Sequence, residues 1–179
     1  MVIRIEQDSA QPDRKTLEQT ENLIIFLPAS GLSRRWTEIP WGNVLEQRAK
    51  RSGLTGLATA PLATELPNTR GTRVSLATLG DDIASVALLG LARKHVAIHL
   101  AHQAREVTIM APGFSAADTR RILEAVVAAA LAGVAPMPEF KRKRSPPARL
   151  TRLYLCGVAQ PVDLTRVRAE AEGNNLARE

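Results

Sequence analysis

Short apolar segments that suit β-strands alternate along this chain with longer segments that suit helices. Strands are predicted at Asn22–Pro28, Arg73–Leu79, Glu106–Ala111 and Leu150–Cys156, with short or edge strands at Gly56–Leu66. Helices are predicted at 41–51, from 83 to about 104, from 115 to the prolines at 136 and 138, and from 163 to 179. A strand, a helix and a further strand in sequence form a right-handed crossover between parallel strands. The predicted fold class is therefore α/β, a three-layer domain whose mixed, mostly parallel sheet carries helices on both faces.

Length and composition exclude several classes of protein. The chain has 179 residues, of which 45% are hydrophobic and 23% charged, as expected for one globular domain. The longest apolar stretch, Ile83–Ala92, is about half of the roughly 20 residues that a membrane-spanning helix needs. The N-terminus lacks the basic start and apolar core of a secretory signal, and a lone Cys156 suits a reducing compartment. These features predict a cytoplasmic protein without a membrane partner.

The net positive charge is concentrated in one segment. The chain has 24 Lys and Arg residues against 18 Asp and Glu residues, a formal net charge of +6. Six basic residues and no acidic one fall between 141 and 152, namely Lys141, Arg142, Lys143, Arg144, Arg149 and Arg152. Such a run either contacts nucleic-acid phosphates or forms a solvated loop. Because aromatic residues make up only 3% of the chain, base-stacking platforms are scarce and the loop is favoured, with DNA binding by Lys141–Arg144 as the alternative.

All three histidines fall on one predicted helix. His95, His99 and His102 are spaced i, i+4 and i+7, which places them near one face, as metal ligation would require. A protease site of the H-E-x-x-H type needs glutamate directly after the first histidine, where Val96 stands. The pattern therefore predicts a half-exposed helix face with solvated imidazoles and no metal site.

Two predicted strand-to-helix turns carry glycine, where dinucleotide-binding loops occur. Gly80-Asp81-Asp82 lacks further glycines, and its carboxylates would repel a pyrophosphate. The turn at 112–115 suits an anion better, but Ser115 and Asp118 also form an S-x-x-D helix start, and this turn-and-cap interpretation is favoured. The chain has no G-x-S-x-G elbow, and Cys156 has no histidine near it in sequence. No catalytic, cofactor-binding or metal-binding residue is therefore assigned.

The last residues carry a resemblance to a known family. Gly173-Asn174-Asn175-Leu176-Ala177-Arg178-Glu179 looks like the helix that leads into the catalytic domain of the leucyl aminopeptidase (cytosol aminopeptidase) family. The upstream order of strands and helices is similar to that family's N-terminal domain, and Glu139-Phe140-Lys141 resembles its aromatic-lysine element. The aromatic residue usual a few positions earlier is replaced by Ala135, Pro136 and Met137.

The resemblance implies a macro-domain-like fold and a supporting role. Residues 1–160 would form a non-catalytic N-terminal domain, and 161–179 would begin the linker helix toward a C-terminal catalytic domain outside this chain. Family members are hexameric and remove N-terminal residues from peptides with two divalent cations, manganese, zinc or magnesium. Their metal ligands and their N-T-D-A-E-G-R motif belong to the C-terminal domain, so the resemblance transfers no catalytic residue to this chain.

Two hypotheses follow for the function. The first is a non-catalytic aminopeptidase domain that supports subunit contacts and shields the active-site cavity. The alternative is a macro-like module that binds ADP-ribose, another nucleotide or DNA through 113–115 or the basic run.

Overall fold

The computed structural model describes residues 3–54, 60–135 and 148–176. Within these residues it contains six strands: β1 (Arg4–Asp8), β2 (Asn22–Pro28), β3 (Leu62–Glu65), β4 (Arg73–Leu79), β5 (Glu106–Met110) and β6 (Arg152–Cys156). The helices are α1 (Arg14–Gln19), α2 (Leu32–Arg35), α3 (Gly42–Arg51), α4 (Ser85–Ala101), α5 (Ala116–Val134) and α6 (Thr165–Leu176). A 3₁₀ turn at Trp36–Glu38 follows α2.

The strands form one sheet in the order β1-β6-β5-β2-β4-β3. Every neighbouring pair is parallel except the edge strand β3, which runs antiparallel to β4. Strands β2 and β4 are aligned along their whole lengths, from the pair Asn22 and Arg73 to the pair Pro28 and Leu79. The mostly parallel α/β fold predicted from the alternation of strands and helices is therefore confirmed.

Two hydrophobic cores lie on opposite faces of the sheet. On β2, Ile24 and Phe26 belong to one core and Leu23 and Ile25 to the other, so this strand is buried on both faces as its continuous apolar run predicts. Helices α4, α5 and α6 pack on the first core, and α1, α2 and α3 on the second. The second core takes residues from β2, β4 and the end of β5 but none from β6 or β1. The helices of that face therefore cover only about half of the sheet.

Strand β1 and helix α1 lie in the polar N-terminal segment before Asn22, where the sequence predicts no strand or helix. β1 reads Arg-Ile-Glu-Gln-Asp, with one apolar residue, so neither alternation nor an apolar run marks it. It is extended because it pairs in parallel with β6 at the edge of the sheet. The side-chain amide of Gln7 adds a clamp, because its Nε2 donates to the Val162 carbonyl at 3.0 Å and its Oε1 accepts from the Val162 amide at 2.8 Å.

Helix ends differ from their predicted positions by a few residues. α3 begins at Gly42, and Trp41, which was predicted inside the helix, instead has a left-handed backbone with φ of 60°. α4 is shorter than predicted at both ends, and α6 begins at Thr165, whose amide donates to the Asp163 carboxylate at 2.9 Å. Helix α6 packs on α5 with Val167 against the first core. None of the described helices is long and apolar enough to cross a membrane.

Candidate functional site

The basic run proposed for nucleic acid, Lys141, Arg142, Lys143 and Arg144, lies outside the described residues, so DNA binding there stays a prediction. Two arginines of the same segment are described. Arg149 is exposed, whereas Arg152 lies on β6 with its Nη1 2.7 Å from a Glu106 carboxylate oxygen and its Nε 3.7 Å from Glu6. Arg152 is thus neutralised by the sheet's own acids and adds little to a surface for phosphates.

The prediction of a half-exposed histidine face was wrong for two of the three histidines. His95 and His99 are fully buried, and only His102 is exposed. The rings contact a buried serine of β4: His95 Nδ1 lies 2.7 Å from Ser75 Oγ, and His99 Nε2 lies 2.9 Å from the same oxygen. The imidazoles face the sheet, where Ser75 gives each ring one hydrogen-bond partner, which the helix sequence alone does not reveal.

The partners of this cluster determine its tautomers. Asn22 Nδ2 donates to the Glu106 carbonyl at 3.2 Å, so Asn22 Oδ1 is the acceptor that faces His99 Nδ1 at 3.3 Å. His99 therefore carries its proton on Nδ1, and Ser75 Oγ–H donates to His99 Nε2. Ser75 Oγ then accepts from His95 Nδ1–H, which leaves a lone pair on His95 Nε2, a buried atom without a hydrogen-bond partner. Every ring nitrogen of the two histidines except His95 Nε2 has a partner, and the arrangement suits neutral imidazoles.

Burial lowers the pKa of both imidazoles. Desolvation is the main cause, and it lowers the pKa of His95 to about 3 and that of His99 to about 4. The neighbouring charges act in the same direction, His99 on His95, and Arg73 and His102 on His99. Both rings are therefore neutral at physiological pH, and each is buried and lies within hydrogen-bond distance of Ser75 Oγ.

The turn at 112–115 has the predicted cap. Ser115 Oγ accepts from the Asp118 amide at 3.1 Å and donates to the Asp118 carboxylate at 2.7 Å. The carboxylate of Asp118 thus occupies the first turn of α5, where an anion would otherwise be favoured. These contacts favour the turn-and-cap interpretation over a nucleotide site at this position.

Replacing the cap gives a direct test of that interpretation. In Ser115→Ala the Asp118 amide loses its acceptor, and we expect a loss of about 1 kcal/mol in the free energy of unfolding. Urea denaturation followed by circular dichroism measures the change. Ser115→Thr, which keeps the hydroxyl that accepts from the Asp118 amide and donates to the Asp118 carboxylate, is expected to retain most of the stability. An equal loss in both variants would contradict the capping role.

The crevice between β2 and β5 at their carboxyl ends is filled by the chain itself. β2 leads to helices on one face and β5 to α5 on the other, which makes this boundary the topological switch point where α/β proteins bind ligands. Here the Arg35 guanidinium lies on Gly113, since a Cβ on that glycine would stand 2.5 Å from Arg35 Nε. Arg35 Nη1 in turn pairs with Glu38 at 2.7 Å. An Arg–Glu pair therefore occupies the space that a ligand would need.

The half of this sheet face that no helix of the described residues covers is polar. On this face of β1, β6 and β5, which we call the open half-sheet, the side chains are Arg4, Glu6, Asp8, Arg152, Tyr154, Cys156, Glu106 and Thr108. Arg152 of β6 links the three strands through ion pairs with Glu6 of β1 and Glu106 of β5. Within β1, Glu6 also lies 2.9 Å from Arg4. Sequence reasoning missed this surface because it depends on β1.

A cleft of about 680 Å³ lies between α1 and the open half-sheet. Four carboxylates line it (Glu6, Asp8, Glu21 and Glu106), against two arginines (Arg70 and Arg105). Burial and the Asp8 carboxylate raise the pKa of the Cys156 thiol, which also lines the cleft, to about 11, so the thiol is protonated and a poor nucleophile. Within the described ranges, no three His, Cys, Asp or Glu side chains are placed to hold a metal ion. Most of the side chains that line the cleft are polar or charged.

Comparison with known proteins identifies the fold. No family model matches the chain, and no curated protein matches it in sequence. A solved structure of a mutant tomato leucine aminopeptidase matches 97% of this chain and 36% of its own, at a TM-score of 0.68 and 17% identity. The fold is that of the leucine aminopeptidase N-terminal domain. The bottromycin maturation enzyme BotP matches 89% of this chain and 32% of its own, at a TM-score of 0.52 and 15% identity.

The leucine aminopeptidase likeness confirms the resemblance drawn from residues 173–179 at the level of the fold. This chain spans about a third of the length of each matched protein. The structural match thus covers nearly all of this chain but only the smaller part of the tomato leucine aminopeptidase.

Proposed function

We propose that this chain is the non-catalytic N-terminal domain of a leucyl-aminopeptidase-type exopeptidase. The observation that supports this most is the asymmetry of the structural match, which includes 97% of this chain but only 36% of the tomato enzyme. In this proposal a C-terminal domain removes N-terminal residues from peptides in the cytoplasm. Two divalent cations, manganese, zinc or magnesium, would supply water activation there.

The described residues do not fit such a metal pair. No group of three potential ligands is placed to hold an ion within them, and the two buried histidines are already bonded to Ser75. In this proposal the metals bind in the other domain, and the residues of this chain take no part in the chemistry. Division of the chain into a domain at 1–160 and a linker beginning at 161 is part of the same proposal.

The role that remains for this domain is assembly and shielding. Helix α6 is held against α5, and its Ala171 is buried, so a domain that followed α6 would start from a fixed direction. The open half-sheet provides a broad polar surface with both signs of charge for contacts with that domain or with neighbouring subunits of a hexamer. Polar surfaces of this kind are usual at contacts between domains of one chain.

An activity assay tests the proposal. We expect the purified chain, incubated with leucine p-nitroanilide and Mn²⁺, to release nitroaniline at the rate of the buffer blank, while tomato leucine aminopeptidase under the same conditions gives turnover. Manganese-stimulated release by this chain alone would contradict a non-catalytic role. The reading frame after Glu179 is the second arm, since an immediate leucine and a downstream N-T-D-A-E-G-R motif support the proposal and a stop codon counts against it.

A further inference from the structure

Strand β1 has a free hydrogen-bonding edge. The Arg4 amide donates to the Thr151 carbonyl at 2.9 Å, and the Asp8 carbonyl accepts from the Val158 amide at 2.9 Å. Since peptide groups alternate along a strand, the even-numbered residues of β1 face β6, and the peptide groups of Ile5 and Gln7 face away from it. No strand in 3–54, 60–135 or 148–176 pairs with that outer edge. The N–H and C=O groups of residues 5 and 7 are therefore available to another strand.

The side chains beside this edge carry a self-complementary pattern of charge. Arg4, Glu6 and Asp8 all project onto the open half-sheet, in the order positive, negative, negative. If two copies of β1 lie antiparallel with Glu6 opposite Glu6, then Arg4 of each copy lies opposite Asp8 of the other. A parallel arrangement in the same register would instead oppose like charges at all three positions.

We infer that β1 pairs antiparallel with β1 of a second copy of this chain, centred on Glu6, to form a two-fold symmetric dimer with a continuous twelve-stranded sheet. In this register Ile5 lies opposite Gln7 of the second copy. Those two residues are the ones whose N–H and C=O groups point outward, so the two symmetric pairs exchange four hydrogen bonds. The inference rests on the edge of β1 and is independent of the proposed peptidase role.

The charged side chains fit the same register. The pair of Arg4 and Asp8 falls at non-hydrogen-bonded positions, where side chains on facing strands come closest. The two Glu6 carboxylates face each other, but each is already compensated by Arg4 at 2.9 Å and Arg152 at 3.7 Å. Because five-residue strands bury little surface, we expect a weak dimer with a Kd on the order of 100 µM.

Charge reversal tests both the interface and its register. The variant Arg4→Glu places a carboxylate opposite Asp8 of the second copy, and Asp8→Lys places an ammonium group opposite Arg4, so each variant alone is repulsive at both ends of the pairing. An equimolar mixture of the two variants restores opposite charges at both ends of the mixed dimer. In sedimentation equilibrium up to about 1 mM, we expect each variant alone to dimerise about tenfold more weakly than the unmodified chain, and the mixture to recover most of the affinity.

A control keeps the test specific. Arg93→Glu changes an exposed arginine of α4 by the same charge and is expected to leave the dimer unchanged. Circular dichroism and thermal unfolding of each variant confirm that the monomer is folded. The inference is overturned if the unmodified chain stays monomeric to 1 mM. It is also overturned if both charge-reversal variants dimerise as strongly as the unmodified chain, or if their mixture dimerises no better than each variant alone.

Discussion

Lowering the pH from 7 to 5 is expected to remove about 4 kcal/mol from the free energy of unfolding of this chain. The cause is the buried pair His95 and His99, whose pKa values are lowered to about 3 and about 4 in the folded protein. Unfolded histidine has a pKa of about 6.5, so below that pH the unfolded chain binds two protons that the folded chain excludes. The folded state is therefore favoured above pH 6.5 and loses stability as the pH falls below it, at about 1.4 kcal/mol per histidine and pH unit.

The size of this effect decides whether the domain stays folded. Single domains have total stabilities of about 5–15 kcal/mol, so a loss of about 4 kcal/mol is a large share. Three carboxylates have pKa values lowered by hydrogen bonds: Asp13 by Thr16, Glu38 by Arg35 and Asp163 by Thr165. Their titration in the folded protein therefore falls below the interval from pH 7 to pH 5. Urea denaturation at closely spaced pH values measures the slope of stability against pH.

Two variants separate the buried pair from other causes of acid sensitivity. His102→Gln removes the exposed histidine of the same helix segment and is expected to keep most of the slope. The triple variant Ser75→Ala, His95→Leu and His99→Leu removes the pair together with the hydroxyl that bonds it, and we expect the slope to flatten. A flat profile in the unmodified chain, or an unchanged slope in the triple variant, would show that these histidines do not control the acid response.

Gly42→Ala is expected to cost about 3 kcal/mol or more in the free energy of unfolding. A Cβ at this position overlaps the Trp36 carbonyl oxygen and comes within 2.7 Å of the Trp36 carbonyl carbon. Both are backbone atoms of the 3₁₀ turn, so no side-chain rotation relieves the overlap. The turn and the start of α3 would have to separate, which opens the core around Leu45.

Gly90→Ala is the matched control, because Gly90 lies inside helix α4 and a Cβ there meets no atom within 4 Å. Here alanine restricts the unfolded chain and improves helix propensity, so we expect a gain of about 0.5–1 kcal/mol. Denaturation monitored by the fluorescence of Trp36 and Trp41 distinguishes the two results. A loss at position 42 no larger than about 1 kcal/mol would show that the turn and α3 separate easily.

The sequence predicts the centre of this fold better than its edge. Strand β2 lies where its continuous apolar run places it, because a strand buried on both faces needs such a run whatever its neighbours are. Strand β4 lies where its alternation of polar and apolar residues predicts a strand. Strand β1 has no such signal, since its position depends on hydrogen bonds to β6, which lies at the other end of the chain. Local patterns cannot report a partner that far away.

The histidine cluster shows the same limit within a side-chain network. Helix α4 is apolar nearly all round in its first turns, so periodicity does not indicate which side faces the sheet. The burial of His95 and His99 depends on Ser75 and Asn22, two polar residues on separate strands that the histidine spacing cannot reveal. The Ser115 cap, in contrast, was predicted and is confirmed, because all of its atoms lie within four consecutive residues.

The pairing of β1 with β6 has a consequence for how the chain is made. Arg4 lies beside Arg152 in the sheet, so β1 leaves the ribosome almost 150 residues before its partner strand β6. At about 5–20 residues per second, synthesis of β6 follows that of β1 by roughly 7–30 s. The inner strands β2, β4 and β5 can associate in that interval, because the helices that connect them are already complete. We therefore expect the sheet to assemble from its centre outward, with β1 the last of the described strands to pair.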